Sequence, residues 1–230
     1  MLPSLLLFAR VPEPGRVKTR LAGRLTERGA TDLYRAFLED AARVYLQPSR
    51  WGSVLCAEPD PLDSRIGELF SPEWRRQAQA PGDLGSRLAS AFEGEFRRGA
   101  PAAVAVGSDH PALPLRLVDA VLRELAGGHS AALVPAEDGG YCAIGLAARA
   151  PVAEVFRDIP WSTATVLSET LRRLEAAGLP HCVLETAYDV DLPEDVDRLR
   201  RDLAGRDPHA EDFPAATARA LAALAAGPRP

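Results

Sequence analysis

The stretch Gly107-Ser108-Asp109-His110-Pro111 decides the predicted fold, because it joins a buried strand to an amphipathic helix. Residues 102–106 form an apolar run bounded by turn residues, which predicts the strand. The helix is indicated by apolar residues at helical spacing, namely Leu117, Val118, Val121, Leu122 and Leu125. Asp109 is therefore predicted at the carboxyl end of a strand, where open α/β sheets bind ligands. Its carboxylate can hold a divalent metal against a phosphate, or it can simply cap the strand-to-helix turn.

The composition is that of an ordinary globular protein and excludes some classes of partner. A net charge of -5 over 230 residues argues against a nucleic-acid polymer, since proteins that bind one usually carry a basic surface. No run of about 18 apolar residues predicts a membrane span, and the apolar run at 5–8 is too short for a signal peptide. We expect a cytoplasmic protein without a membrane partner. Cys56, Cys142 and Cys182 lack the paired spacing of a zinc site and are expected to be reduced core residues.

Apolar runs alternate with helical patterns along the chain, which predicts an α/β fold with a largely parallel sheet. We expect a single domain over residues 1–230, with its core at about 4–205 and a C-terminal helix at 212–226. The predicted strands cover residues 4–9, 51–57, 74–79 at a sheet edge, 102–106, 131–135, 141–146 and 181–185. Helices are predicted from a Thr31 cap, from Leu84 with Leu88 and Phe92 on the same buried face, over 163–177, and from Pro193.

A cationic loop follows the first predicted strand and contains Gly15, Arg16, Lys18 and Arg20. A glycine amide, a lysine point charge and forked arginines suit a phosphate chain. The loop lacks the glycine pattern of a P-loop, so it is either a phosphate site of another kind or a solvated basic turn.

A second loop, over residues 79–87, places glycines before a predicted helix. Glycines there allow a ligand to approach the helix N-terminus, although a tight strand-to-helix connection uses the same residues.

The carboxylates Asp109, Asp138, Asp189 and Asp191 form the last candidate group. Asp189 and Asp191 are two residues apart and point the same way in an extended segment. An oxygen-only set suits Mg²⁺ or Mn²⁺ rather than zinc. The alternative is that Asp191 caps the helix beginning at Pro193 while Asp189 is solvated. The histidines show no ligand spacing, and no nucleophile elbow is present.

Six segments in the same order resemble the GT-A-like transferases, the nucleotide-diphospho-sugar transferase superfamily. The chain looks most like a bacterial branch labelled radical-SAM/selenodomain-associated transferase, and it is also similar to the 2-phospholactate guanylyltransferases. The matching segments are residues 8–10 with 14–21, 82–87, 107–111, 137–141, 159–163 and 189–193. His110 departs from the pattern, since small or acidic residues are more familiar after the central aspartate.

The resemblance implies a single Rossmann-like GT-A domain with a mixed sheet, helices on both faces and a metal-assisted transfer at the carboxyl edge. Lys18 and Asp109 would be the catalytic residues, and Asp109, Asp189 and Asp191 would hold Mg²⁺ or Mn²⁺. Nucleotide and phosphates would be bound by Arg10, Gly15, Arg16, Lys18, Arg20, Gln79, Gly82, Asp83, Gly85 and Arg87. The acceptor side would contain Asp138, Gly139, Gly140, Tyr141, Trp161 and Ser162.

Two enzymatic hypotheses remain open at this point. The cationic loop favours nucleotidyl transfer from a nucleoside triphosphate to a small phosphorylated acceptor, whereas the family label favours glycosyl transfer from a nucleotide-sugar. A non-catalytic nucleotide-binding protein is the third hypothesis. It is disfavoured if Lys18, Asp109 and Asp191 converge on one cleft. A homodimer is compatible with each hypothesis.

Overall fold

The predicted strands form one seven-stranded sheet in the computed structural model, which describes residues 1–226. The strands are β1 Ser4–Arg10, β2 Gly52–Glu58, β3 Arg75–Ala78, β4 Ala102–Gly107, β5 Ala131–Pro135, β6 Tyr141–Ala147 and β7 His181–Val183. Their spatial order is β3-β2-β1-β4-β6-β5-β7. β6 runs antiparallel to β4 and β5, and the other neighbouring pairs are parallel. The mostly parallel mixed sheet is thus confirmed. The single-domain prediction reaches residue 230, and residues 227–230 lie outside the described part of the chain.

Helices cover both faces of the sheet, as predicted. They are α1 Glu27–Val44, α2 Ser64–Gly67, α3 Leu84–Arg97, α4 Leu115–Ala126, α5 Val152–Val155, α6 Val166–Ala176, α7 Pro193–Ala204 and α8 Ala215–Ala226. Successive strand residues point to opposite faces, so Leu5 and Leu7 join one core with α1, α4, α7 and α8. Leu6 joins the second core, which contains residues of α3, α5 and α6. No helix among residues 1–226 has the length and apolarity needed to cross a bilayer.

The strand order fixes where a ligand can bind. The chain runs outward from β1 to β2 and β3, and then returns to place β4 on the other side of β1. The carboxyl ends of β1 and β4 therefore flank the point where the order reverses, which is where open α/β sheets bind ligands. Ser108 N donates to Phe8 O at 3.1 Å, and Val190 N donates to Asp109 O at 3.0 Å. These bonds bring the β1 loop, the Asp109 motif and the 189–191 segment to the same edge.

Two helix starts differ from the predictions. α1 begins behind Thr26, whose hydroxyl accepts from Gly29 N at 3.0 Å, and Thr31 lies inside the helix with its hydroxyl donating to Glu27 O. Its first turn carries no large apolar side chain, so the hydrophobic pattern begins a turn after the helix does. α8 begins at Ala215 rather than at residue 212, because Asp40 of α1 accepts from the first backbone N–H groups of α8. Because the capping residue Asp40 and the capped Ala216 are 176 residues apart, no local sequence pattern predicts this helix start.

Smaller differences concern α3, α6 and the last strand. Leu84 is 43% exposed, although its spacing predicts a buried position. α6 begins at Val166, not at Thr163, because Leu167 N donates to Gly139 O at 2.9 Å instead of to Thr163 O, so the helical bonds start from Thr165 O. The predicted strand over 181–185 forms ladder pairs only at His181–Val183. Cys56, Cys142 and Cys182 are free thiols, and the first two are buried.

Candidate active site

A cleft of about 960 Å³ opens at the carboxyl edge of the sheet. Most of the predicted site residues line it: Arg10, Arg16, Lys18, Arg20, Gln79, Gly82, Asp83, Arg87, Asp109, Asp138, Gly140, Tyr141, Trp161, Ser162, Asp189 and Asp191. Clefts of this volume hold ligands of nucleotide size. Three of the five predicted site glycines do not line it, namely Gly15, Gly85 and Gly139.

Lys18 lies at the centre of the site. Its Nζ is 2.6 Å from Asp109 Oδ1 and 2.8 Å from Asp191 Oδ1, and its side chain is only 3% exposed. The backbone of Lys18 is left-handed, at φ 50° and ψ 37°, which is a strained conformation for a residue with a Cβ. The predicted convergence of Lys18, Asp109 and Asp191 on one cleft is therefore confirmed.

Electrostatics keep Lys18 and Asp109 charged. Burial acts to lower the pKa of Lys18, but Asp109 and Asp191 outweigh it and raise that pKa above its usual value. Burial likewise opposes ionisation of Asp109, but the Lys18 ammonium holds the pKa of this carboxyl below its usual value. Opposite charges at hydrogen-bond distance favour the ionised form of each group.

Asp191 is free to bind Lys18 because another residue caps α7. Asp195 accepts from the backbone N–H groups of Asp191 and Leu192, at 3.0 and 2.6 Å. The alternative that Asp191 caps the helix at Pro193 is therefore wrong.

Among residues 1–226, no lysine or arginine forms an ion pair with Asp189. Burial, followed by repulsion from Asp191 and Asp138, raises the pKa of Asp189 to about 6. A half-buried carboxylate beside two others is a donor set that suits a hard divalent cation. No group of three His, Cys, Asp or Glu side chains in the described residues stands ready-made to hold a metal, however. The carboxylates are therefore ligands of the kind that Mg²⁺ prefers, but they are not arranged as a complete coordination site.

Tyr34 belongs to the site and is the first residue that sequence reasoning missed. Its hydroxyl accepts from Arg10 N at 2.9 Å and lies 2.8 Å from Ser108 Oγ, so it joins the carboxyl ends of β1 and β4. Burial, and then the charge of Asp109, raises the pKa of Tyr34. The available signal was a tyrosine on the buried face of an amphipathic helix, whose hydroxyl needs a partner.

Glu58, at the end of β2, is the second residue that sequence reasoning missed. It pairs with Arg87 and lies 3.8 Å from Arg10 Nε, so it sits between two predicted nucleotide-binding arginines. The Arg87 hydrogen bond is the main cause that lowers the pKa of Glu58. Gln79 Nε2 donates to Ala9 O and Cys56 O at 3.0 and 2.9 Å, so this predicted binding residue ties β1 to β2.

The structure places the three other glycines against protein rather than against the cleft. A Cβ on Gly85 would lie 2.7 Å from Trp161 Nε1, and one on Gly139 would lie 2.1 Å from Ala164 O. Gly15 has a φ of +75° and faces Glu27. Gly85 was expected to approach the nucleotide. In the structure, Trp161 occupies the space beside Gly85 instead.

Asp83 and His110 also have structural partners. Asp83 caps α3 by accepting from Ser86 N at 2.8 Å, at the rim of the cleft. His110 Nδ1 lies 3.4 Å from Tyr188 O, and burial is the main cause that lowers its pKa. His110 is therefore neutral near pH 7 and adds no charge beside Asp109.

Comparison with known proteins identifies the family. The family described as "Uncharacterized protein conserved in bacteria (DUF2064)" matches residues 41–163, more than half of the chain. This chain belongs to the DUF2064 family. A search of curated proteins finds no match. The predicted radical-SAM association is a finer statement and stays a prediction.

Solved structures extend the comparison to the whole DUF2064 chain. A protein from Desulfovibrio desulfuricans G20, provisionally assigned as a nucleotide-diphospho-sugar transferase, is 31% identical over 97% of both chains, with a TM-score of 0.85. This match confirms the resemblance to that superfamily.

More distant structures share the fold alone. A cytidylyltransferase from Leptospira borgpetersenii serovar Hardjo-bovis is 10% identical, with a TM-score of 0.60 over 98% of this chain and 94% of that one. A 4-diphosphocytidyl-2C-methyl-D-erythritol synthase from Anaerococcus prevotii DSM 20548 is 11% identical, with a TM-score of 0.55 over 88% and 96%.

Proposed function

We propose that this DUF2064 protein is a transferase that binds a nucleotide donor in the cleft and transfers its nucleotidyl group to an acceptor. The observation that carries the proposal is the placement of Lys18 between Asp109 and Asp191 at the strand-order switch point. A non-catalytic binding protein has no need of a strained, buried lysine between two carboxylates at this edge. The provisional assignment of the Desulfovibrio protein supports a nucleotide donor.

The donor phosphates are assigned to the loop after β1. Arg16 and Arg20 are 78% and 72% exposed and make only surface ion pairs, with Glu13 at 3.6 Å and Asp191 at 3.7 Å, so their guanidinium groups can turn toward a phosphate chain. Lys18 supplies a fixed positive charge at the inner end of the same loop. The nucleoside is assigned to the neighbouring surface at Gly82 and Arg87, because both line the cleft beside the end of β1.

In the proposed reaction, an acceptor oxygen attacks the α-phosphorus of a nucleoside triphosphate. The bond from that phosphorus to the oxygen bridging the β-phosphate breaks, pyrophosphate leaves, and the acceptor proton passes to a cleft carboxylate or to water. Lys18 stabilises negative charge that develops on the phosphates, and it does so without reorganising because its position is already fixed. Mg²⁺ held by Asp109, Asp189 and Asp191 would add further neutralisation of phosphate charge.

Glycosyl transfer is the second candidate, and the assignment of the Desulfovibrio protein favours it. In that reaction the acceptor oxygen bonds to the anomeric carbon of a nucleotide-sugar, and the nucleoside diphosphate leaves. The same cations would then stabilise the leaving diphosphate, so the two candidates differ in donor and by-product.

A thermal-shift screen with Mg²⁺, nucleoside triphosphates and nucleotide-sugars tests the donor, because a ligand of the native state raises the melting temperature. Release of pyrophosphate from a stabilising triphosphate would support nucleotidyl transfer, and release of a nucleoside diphosphate from a nucleotide-sugar would support the second candidate. Binding without any release would favour the non-catalytic hypothesis. Stabilisation by no nucleotide would reject a nucleotide donor.

A further inference from the structure

The cleft has two walls of different charge. The donor wall consists of Arg10, residues 16–20 and the cleft-lining residues of 82–88, which do not include Gly85, and it carries every lysine and arginine that lines the cleft in the described chain. The acceptor wall consists of the cleft-lining residues of 136–144, residues 161–166 and Asp189. Its described lining residues include no lysine or arginine, but they include the carboxylates of Asp138 and Asp189.

Aromatic rings form the middle of the acceptor wall. The Tyr141 and Trp161 rings are 6.4 Å apart and nearly perpendicular, and Phe156 packs behind Trp161 at 6.3 Å. Trp161 Nε1 points toward Gly85 of α3, and both this nitrogen and the Tyr141 hydroxyl are buried. Since the polar tips are turned inward, the parts of these rings that remain exposed to a ligand are carbon.

Polar groups surround the rings. Asp138 is exposed, and one of its oxygens accepts from Gly140 N at 2.9 Å, which leaves acceptor capacity facing the cleft. Ser162 is held at φ 64°, and its hydroxyl has no hydrogen-bond partner among residues 1–226. The acceptor wall thus offers ring carbons, carboxylate oxygens and one free hydroxyl.

We infer that the acceptor carries no phosphate and is a neutral or amine-bearing ring compound with several hydroxyl groups. Its C–H face packs on Trp161 and Tyr141, and its hydroxyl or amino groups donate to Asp138, since Asp189 is assigned to Mg²⁺ in the proposed reaction. A phosphate in this position would face the Asp138 carboxylate with no lysine or arginine on the same wall, which is electrostatically unfavourable. The inference rests on the proposed function, because this wall receives an acceptor only if the protein transfers a group from a bound donor. It replaces the phosphorylated acceptor expected from the sequence.

Trp161 gives a direct test of the charge of the acceptor wall. Trp51 and Trp74 are 1% and 2% exposed, so collisional quenchers in solution reach mainly Trp161. On the wild-type protein we expect caesium ion to quench more strongly than iodide, by roughly twofold after normalisation to free tryptophan. Asp138→Lys should reverse the preference, Asp138→Asn should weaken it, and Trp161→Phe should remove the quenchable component. Stronger quenching by iodide in the wild type would overturn the inference.

Matched ligand pairs test the chemical class. With the stabilising nucleotide present, glucose, glucosamine and myo-inositol are each compared with their monophosphate for protection of Trp161 from acrylamide. We expect an unphosphorylated member to protect Trp161 and its monophosphate to protect less. Better protection by the monophosphates, or protection by no member, would contradict the inference. The quenching test needs no nucleotide, so a caesium preference without nucleotide binding would support the ligand preference of this wall while rejecting the nucleotide donor.

Discussion

The two walls of the cleft differ in whether their charged side chains have ion-pair partners. On the donor wall the charges are held by partners: Lys18 is fixed by Asp109 and Asp191, and Arg87 is paired with Glu58. On the acceptor wall the aromatic rings are packed, but Asp138 and Asp189 have no ion-pair partner within residues 1–226. The donor wall is therefore ready to meet a polyanion, whereas the acceptor wall is left with negative charge beside carbon surface.

The two walls therefore differ in how easily a substitution changes what they bind. Phosphate recognition requires fixed cations, and a strained lysine with two carboxylates fixes one firmly. Acceptor recognition depends on ring surfaces and single polar groups, which one or two substitutions can change. We therefore expect substitutions of the donor-wall cations to weaken the interaction with every nucleotide, and substitutions of the acceptor wall to alter only the second substrate.

The largest effect is expected for Lys18→Met, which removes the charge and retains much of the volume. Loss of a preorganised charge at the phosphates should reduce turnover roughly 100- to 1,000-fold. Asp109 and Asp191 would then repel each other, and because both are partly exposed we expect a stability loss of only about 1 kcal/mol. Steady-state product release and urea unfolding measure the two effects.

Arg24→Met is the matched control for Lys18→Met. Arg24 lies at the end of the same cationic loop, but it pairs with Asp197 of α7 and does not line the cleft. Its replacement should leave nucleotide affinity and turnover near the wild-type values. Equal losses in the two variants would mean that the loop acts through its net charge, and the special place of Lys18 would be rejected.

The next effect concerns the acceptor wall and its hairpin. In Gly139→Ala the new Cβ would lie 2.1 Å from Ala164 O, at a φ of +90°, so the hairpin must separate from the segment before α6. We expect the free energy of unfolding to fall by about 3 kcal/mol, from the strained backbone and from overpacking together. Urea denaturation measures this loss.

Gly23→Ala separates those two causes. Gly23 has a φ of +92°, and a Cβ there would meet nothing within 4 Å. This variant should lose only the backbone term, about 1 kcal/mol. If both variants lose the same stability, the contact between Gly139 and Ala164 contributes nothing and the packing of this wall is looser than described.

The sequence predicted the sheet well because strand signals are local. Apolar runs bounded by turn residues mark each strand, and the carboxyl-edge rule then brings Lys18 close to Asp191, 173 residues away. The caps of α1 and α8 were missed for different reasons. Thr26 precedes a first turn without a large apolar side chain, and Asp40 acts across the core, so neither appears in a periodic pattern.

The site was predicted less completely than the fold, and the glycines show why. A glycine that admits a ligand and a glycine that admits another chain segment look the same in a sequence, because only the neighbour differs. Gly82 lines the cleft, whereas Gly85 admits Trp161 and Gly139 admits Ala164. Which case holds depends on segments about 25 to 76 residues distant, and nothing in the local pattern specifies them.

Gly85→Ala is expected to change the acceptor wall more than the donor wall. Its Cβ would lie 2.7 Å from Trp161 Nε1 and 3.0 Å from Phe156 O, so Trp161 must move. We expect a loss of about 2 kcal/mol in stability and a shifted Trp161 emission spectrum, with nucleotide affinity little changed. Gly94→Ala on the same helix meets nothing within 4 Å and should be neutral or stabilising by up to about 1 kcal/mol. A large loss of nucleotide affinity in Gly85→Ala alone would restore the direct nucleotide contact predicted from the sequence.

The smallest effect lies where the walls meet, at Asp189. Carboxyl-carbon NMR of the metal-free protein should give this residue a pKa of about 6, caused first by burial and then by Asp191 and Asp138. Because this pKa is raised above the ordinary 3.8, the stability that Asp189 contributes is fully present below about pH 4 and is lost as the pH rises through about 6. Asp191→Asn should lower the midpoint only partly, since burial remains, and Asp138→Asn should lower it less. A wild-type midpoint near 4 would mean that neither burial nor the neighbouring carboxylates raise the pKa of Asp189. The negative charge on the acceptor wall would then be partly compensated, and the two walls would differ less in charge than we describe.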